Sequence, residues 1–174
     1  TVRSCVDLLE RANFKVSDRQ LTAGLLNAPK NTGFKARLQW LNQNPKTLVD
    51  AAHNAAGIHE INSFLAKQDY TKLYLIYGAS NDKNAKDLID ILPPSDHLFL
   101  SSFSNLRSLN KMELEALSRN SIGNSSVTES VEQAYIQAVE LANEKDLILI
   151  TGSFFLISDF FAFFSKNDLS KKLN

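Results

Sequence analysis

The sequence predicts an α/β fold, a mostly parallel sheet with helices on both faces. Three observations carry that reading. Short apolar, β-prone runs alternate with helical apolar spacing from residue 46 to residue 164. The connections between them are short, so successive strands lie in one sheet with the helices as crossovers. The run Asp146-Leu147-Ile148-Leu149-Ile150 is almost wholly apolar, as a buried strand requires.

The first elements stand apart from that alternation. Val2, Val6, Leu9 and Ala12 mark an amphipathic helix, broken at Asn13-Phe14-Lys15-Val16. Ser17 or Asp18 can cap a second helix, with Leu21, Leu25 and Leu26 as its apolar side. Residues 27–33 are polar and contain Pro29 and Gly33, so they read as a linker and domain boundary. Two helices are too few to bury a core. Residues 1–28 are therefore expected to be the helical tail of another domain, 29–35 the linker, 36–165 the α/β domain and 166–174 a polar, frayed tail. There is no initiator Met, and the helix pattern is already under way at Val2, which suggests a start within a longer protein.

Residues 36–43 alternate around Leu38, Trp40 and Asn42 before a turn at Asn44-Pro45. The turn is tight, so this strand is at an edge or antiparallel. Residues 46–50 form the next strand, and 55–67 its helix, with Ile58, Ile61, Phe64 and Leu65 at helical spacing. A strand at 72–77, a polar turn at 78–83 and a helix at 85–92 follow, and Pro93-Pro94 stops the helix. Next come a strand at 96–100, a polar loop to Arg107, and a helix at 111–118 capped by Asn110. Residues 120–128 are polar and weakly structured, with Val127 as a short strand at most. Residues 129–143 are helical, with Val131, Ala134, Tyr135, Ala138 and Leu141 inward. The buried strand at 146–150 ends in Thr151-Gly152-Ser153. The helix at 154–164 is apolar on most sides, so its phenylalanines, like Trp40, are assigned to the core.

Bulk composition excludes several classes. The 174 residues are 44% hydrophobic and 22% charged, as in an ordinary globular chain. With 19 basic and 19 acidic side chains, nothing draws the chain to nucleic acid or an anionic membrane. Cys5 is the single cysteine and cannot form an internal disulfide, so a cytoplasmic protein is the default. The apolar stretch 154–164 is interrupted by Ser158 and Asp159 and is too short to span a bilayer.

Four turns after strands hold polar residues: 50–54, 78–83, 101–107 and 151–153. In a parallel sheet all four share one edge, where α/β folds bind ligands. The helices that follow aim backbone N–H groups at that edge, which favours an anion. Each candidate also has a purely structural reading. Asp50 and Asn54 suit helix caps, and a lone histidine such as His53 is commonly structural. Asp82-Lys83 suits a surface pair, Arg107 a solvated loop, and Thr151-Gly152-Ser153 an ordinary turn. The chain has no Gly-x-x-x-x-Gly-Lys-Ser/Thr loop, no Gly-x-Gly-x-x-Gly, no zinc-spaced Cys/His cluster and no Gly-x-Ser-x-Gly.

Asp50-Ala51-Ala52-His53-Asn54 resembles the Asp-Gly-Ala-His-Asn motif of folylpolyglutamate and dihydrofolate synthases, members of the Mur ligase superfamily. Arg37-Leu38-Gln39 is similar to that family's Gly-Arg-x-Glu/Gln strand. Gly78 through Asp82-Lys83 is similar to its Gly…Asp-Lys-Asp turn. The run from Ile150 through Thr151, Gly152, Ser153, Phe154 and Phe155 to Leu156 is similar to its Val-Thr-Gly-Ser-Leu-Tyr-Leu. The helices before the linker, with Gly24-Leu25, look like the end of its ATPase domain. This chain departs from the pattern at Ala36, Ala51, Ala55, Asn84 and Arg107-Ser108.

The resemblance implies a Rossmann-like domain of the Mur ligase C-terminal type. It implies a ligase that phosphorylates a folate or dihydropteroate carboxylate with ATP and magnesium, after which L-glutamate attacks the acyl phosphate. The phosphate loop and metal ligands would lie in an N-terminal domain, the chain's partner, and the full-length form is expected to be a monomer. By family pattern Arg37, Asp50 and Asn54 are nucleotide-side residues, and His53 and Ser153 glutamate-side ones. His53 and Asp50 are the catalytic candidates, with Asp82, Lys83 and Arg107 as further site candidates. A non-catalytic α/β module that binds a small anion or a protein is the alternative.

Overall fold

A computed structural model describes residues 2–33, 35–81, 85–120 and 123–166. The candidates Asp82 and Lys83, with Asn84 and the tail beyond 166, lie outside the described residues. The chain divides into two compact units, Thr1–Lys35 and Ala36–Asn174.

The first unit is helical. Helix α1 (Val2–Arg11) ends where Asn13 turns into the left-handed region at φ 67°. Helix α2 (Asp18–Leu26) starts with a capping box: Ser17 Oγ accepts from Gln20 N, and Gln20 Oε1 accepts from Ser17 N. Arg3 joins the two helices by pairing with both Asp7 and Asp18. The stretch expected to be a linker instead holds a short helix, α3 (Ala28–Thr32). Proline lacks only an N–H that a first helical turn leaves unbonded, and Gly33 closes the helix at φ 64°.

The second unit is built on a six-stranded sheet, in the order β1-β2-β6-β3-β4-β5. The strands are β1 (Gln39–Gln43), β2 (Lys46–Val49), β3 (Leu73–Tyr77), β4 (His97–Ser101), β5 (Ser125–Thr128) and β6 (Leu147–Thr151). β1 is antiparallel to β2 and the rest pair in parallel. Between them run α4 (Ala55–Leu65), α5 (Ala85–Ile89), α6 (Lys111–Asn120) and α7 (Val131–Leu141), and α8 (Phe154–Lys166) follows β6.

The alternation of strand side chains builds two cores. Leu147 and Leu149 face one side with Leu48, Leu73, Leu75 and Leu100, and there meet Ile61 and Leu65 of α4 and Leu114 of α6. Ile148 and Ile150 face the other with Val49, Ile76 and Phe99, against Ala134 and Tyr135 of α7 and Leu156, Ile157 and Phe160 of α8. The helices therefore cover both faces, as the sequence predicts.

Several details differ from the sequence reading, among them Leu141, assigned inward but 50% exposed. α5 stops at Ile89, well before the two prolines. Ser125–Thr128 is a full member of the sheet, because pairing with β4 overrides its weak apolar signal. The phenylalanines of α8 are not all core: Phe160 and Phe164 are buried, but Phe154 is 45% exposed and Phe155 39%. The helix buries one stripe on the sheet, which includes Leu156 and Ile157 of its first turn but not Phe154 or Phe155. Trp40, also assigned to the core, is 36% exposed on the edge strand.

Candidate functional site

β2 and β6 are neighbours, with Val49 opposite Ile150. Beyond β2 the chain turns to α4 on one face, and beyond β6 to α8 on the other. Between two strands whose exits diverge in this way the sheet edge opens into a crevice. β1 adds a third contributor. It runs antiparallel, with Gln39 opposite Val49, so its beginning lies at the end of β2. That brings the loop holding Arg37 to the same edge.

Asp50 organises this corner. It is 7% exposed, and both carboxylate oxygens accept backbone N–H bonds of 2.8 Å: Oδ2 from Leu38 and Oδ1 from Ala52. Ala51 N adds a 3.0 Å bond to Ala36 O. The loop so held is strained, because Ala36 (φ 60°) and Leu38 (φ 43°) both sit in the left-handed region without being glycine. Such a conformation costs about 1–2 kcal/mol per residue, and bonds to a charged acceptor offset it. Asp50 is therefore a clamp between the Arg37 loop and the His53 turn. It is not the cap of α4. Asn54 is, its Oδ1 accepting from Gly57 N at 2.9 Å.

His53 is half-buried, with Nδ1 2.9 Å from Ala51 O. A carbonyl can only accept, so Nδ1 carries a proton in this bond. Arg37 lies with its guanidinium 4.9 Å from the ring centre of Phe154. The same phenylalanine contacts the His53 ring, with centroids 5.6 Å apart. Arg37, Asp50, His53 and Asn54 all line one cavity of ≈ 380 Å³, together with Leu38, Ala51, Ala52, Gly57, Glu60 and Ile61. The walls are mainly apolar with a few charged groups, as in small-molecule sites.

The other candidates lie elsewhere. Ser153 is 4% exposed and its Oγ accepts from Phe155 N at 3.2 Å; it does not line this cavity. Thr151 is fully buried and donates to Ala52 O at 3.3 Å. Arg107 is exposed in the loop after β4, where its carbonyl accepts from Asn81 N at 2.7 Å. Sequence reasoning missed Phe154 and Glu60. The first is adjacent to Ser153, but aromatic density along α8 disguised it as core. The second had no motif to mark it. Among the described residues no group of three or more His, Cys, Asp or Glu could hold a metal ion. No helix described is long and apolar enough to cross a membrane.

A mostly parallel sheet covered by helices on both faces, with a guanidinium, a carboxylate and an imidazole gathered at its crevice, defines an α/β domain of the doubly wound class. Residues 36–154 match the family described as Mur ligase, glutamate ligase domain, and the chain belongs to that family. The chain is 28% identical over 159 residues to a dihydrofolate synthase/folylpolyglutamate synthase of Buchnera aphidicola, covering 90% of this chain and 37% of the relative. Its fold is similar to that of E. coli FolC in complex with DHPP and ADP, with TM-score 0.75, 20% identity and coverage of 91% of this chain and 37% of that one. It is also similar to a bifunctional folylpolyglutamate synthase/dihydrofolate synthase with Mn, AMPPNP and L-glutamate bound, with TM-score 0.76, 21% identity and coverage of 90% and 37%. The structural likeness establishes the fold, and the chain spans little more than a third of these proteins' length.

Proposed function

We propose that this chain supplies the glutamate ligase domain of an ATP-dependent ligase that adds L-glutamate to folate or dihydropteroate through an acyl phosphate. The reading rests on family membership together with the convergence of Arg37, Asp50 and His53 on one cavity at the crevice. It needs an ATPase domain as partner, since this chain has no triphosphate loop. Magnesium, which accompanies ATP in such chemistry, is assigned to that domain.

In this reading Arg37 is the nucleotide-side cation. A guanidinium neutralises phosphate charge that builds as the phosphoryl group transfers. Asp50 keeps two backbone bonds and, as a carboxylate, has capacity for further ones, so it can accept from a nucleotide hydroxyl while holding the Arg37 loop. Asn54 frames the nucleotide side as the cap of α4. His53 meets L-glutamate from the turn after β2, where its ring lines the cavity. Ser153 is assigned to that side, and Asp82, Lys83 and Arg107 are kept as further site candidates, on the resemblance of their motifs alone.

The test is kinetic and uses the chain joined to its ATPase domain. His53→Ala is expected to cut kcat/KM for glutamate about ten- to a hundredfold, equal to about 1.5–3 kcal/mol for a lost charge-assisted contact. Asp50→Ala is expected to damage the ATP-dependent step as well as stability. Wild-type glutamate kinetics in His53→Ala would end the catalytic reading of this turn.

A further inference from the structure

We propose that Phe154 is a positioning residue, whose ring fixes the Arg37 guanidinium and the His53 imidazole at one spacing across the crevice. The inference rests on the ligand-binding reading of these two residues, but its geometry stands by itself.

Phe154 is the first residue of α8, directly past the end of β6. Its neighbours on that helix, Leu156, Ile157 and Phe160, are buried against the sheet, while its own ring is 45% exposed. A large apolar side chain left half in water contributes little to a core, so its contacts at the edge carry the explanation. There are two. The Arg37 guanidinium is 4.9 Å from the ring centroid, within the range where a cation is drawn to the electron-rich face. The His53 ring lies 5.6 Å away, tilted by 49°. Arg37 comes from the loop before β1 and His53 from the turn after β2. Phe154, from a third segment, touches both.

The consequence is pre-organisation. An arginine side chain has many rotamers, and ordering it when an anion arrives weakens binding. Docked on the ring, with Nη1 also donating to Ala36 O at 3.3 Å, the guanidinium is already held on the ring that the imidazole touches, so one anionic ligand can meet both. A leucine would fill similar space but has no quadrupole to hold a cation. A tyrosine keeps the ring face.

The experiment has two arms. The first is NMR of this chain. The ring current of Phe154 should displace the Arg37 δ-methylene and ε-NH resonances. Phe154→Leu should abolish that displacement, Phe154→Tyr should retain it, and the amide shifts of β6 should stay in place. Arg37 resonances unmoved by Phe154→Leu would overturn the proposal, as would equal loss in both variants. The second arm is kinetics of the chain joined to its ATPase domain. Phe154→Leu should raise KM for the anionic substrates about two- to fivefold, the fold-change of a partly exposed cation–π contact, and Phe154→Tyr should restore it. Unchanged KM in Phe154→Leu would also overturn the positioning role. Arg37→Ala with wild-type kinetics would remove the functional reading while leaving the ring-current result to decide the geometry.

Discussion

The turns after β2 and β6 leave adjacent parallel strands at the same edge, and they are built in opposite ways. The turn after β2 is held from below by Asp50 and presents side chains to a cavity. The turn after β6 is filled by the protein itself: Thr151, Gly152 and Ser153 are 0–4% exposed or buried outright. Gly152 sits at φ 114°, and a Cβ there would lie 2.4 Å from Gly78 O and 2.7 Å from the Tyr77 ring. One turn is a scaffold for ligand-facing groups. The other is a close-packed joint between β3 and β6, whose contribution to the site begins only at Phe154. Polar residues at a strand end thus have two uses, and burial distinguishes them.

Substitutions can break this contrast, and the largest effect belongs to the packed joint. Gly152→Ala places a methyl against backbone in a conformation that disfavours it. The expected loss is about 3–5 kcal/mol, the sum of backbone strain and overpacking, read from the urea midpoint. A wild-type midpoint would mean that the joint gives way to an added methyl and is not close-packed. Asp50→Ala comes next. It leaves the Leu38 and Ala52 amides without their acceptor, at a cost of about 2–3 kcal/mol. Hydrogen exchange should quicken at those two amides more than in β3. Uniform quickening would argue that Asp50 is a general stabiliser rather than a local clamp.

The fold was legible because its signals were local and periodic. The alternation of strands with helices followed from apolar spacing, the edge or antiparallel placement of the first strand from the tight turn at Asn44-Pro45, and the covering of both faces from the short connections. The Arg37 loop was less legible. Its strained residues are Ala36 and Leu38, not glycines, so the backbone conformation leaves no mark in residue type. Asp50 reads in sequence as a cap or a ligand, because a clamp to a residue twelve positions earlier depends on strand pairing. Phe154 was hidden for a related reason. Its apolar character matches the rest of α8, and only its place off the buried stripe of that helix exposes it.

Two smaller effects sharpen the comparison. Asn54→Ala removes the cap of α4 and should cost about 1 kcal/mol, with fraying confined to the first turn of that helix. A loss as large as that of Asp50→Ala would show that capping, not clamping, organises the turn. Tyr77→Phe tests the opposite side of the packed joint. The Tyr77 hydroxyl is buried without a hydrogen-bond partner among the described residues, and desolvation pushes its pKa well above the usual phenol value. Removing it should raise stability by up to about 1 kcal/mol. A clear loss would reveal a hydrogen bond across the joint.

The β1–β2 hairpin gives the site a mechanical dependence on a distant place. Arg37 precedes a strand that is measured out from the opposite edge, and the pairing already contains one irregularity, between Trp40 and Asn42. That irregularity acts as a length adjustment, with Leu41 as the extra residue on β1. A strand advances about 3.4 Å per residue and swaps faces at each step. One residue gained or lost near Asn44-Pro45 would therefore shift Arg37 and Leu38 along the strand direction by about one residue's rise and pull Leu38 N away from Asp50. The hairpin is a ruler, and the far turn is where its zero is set.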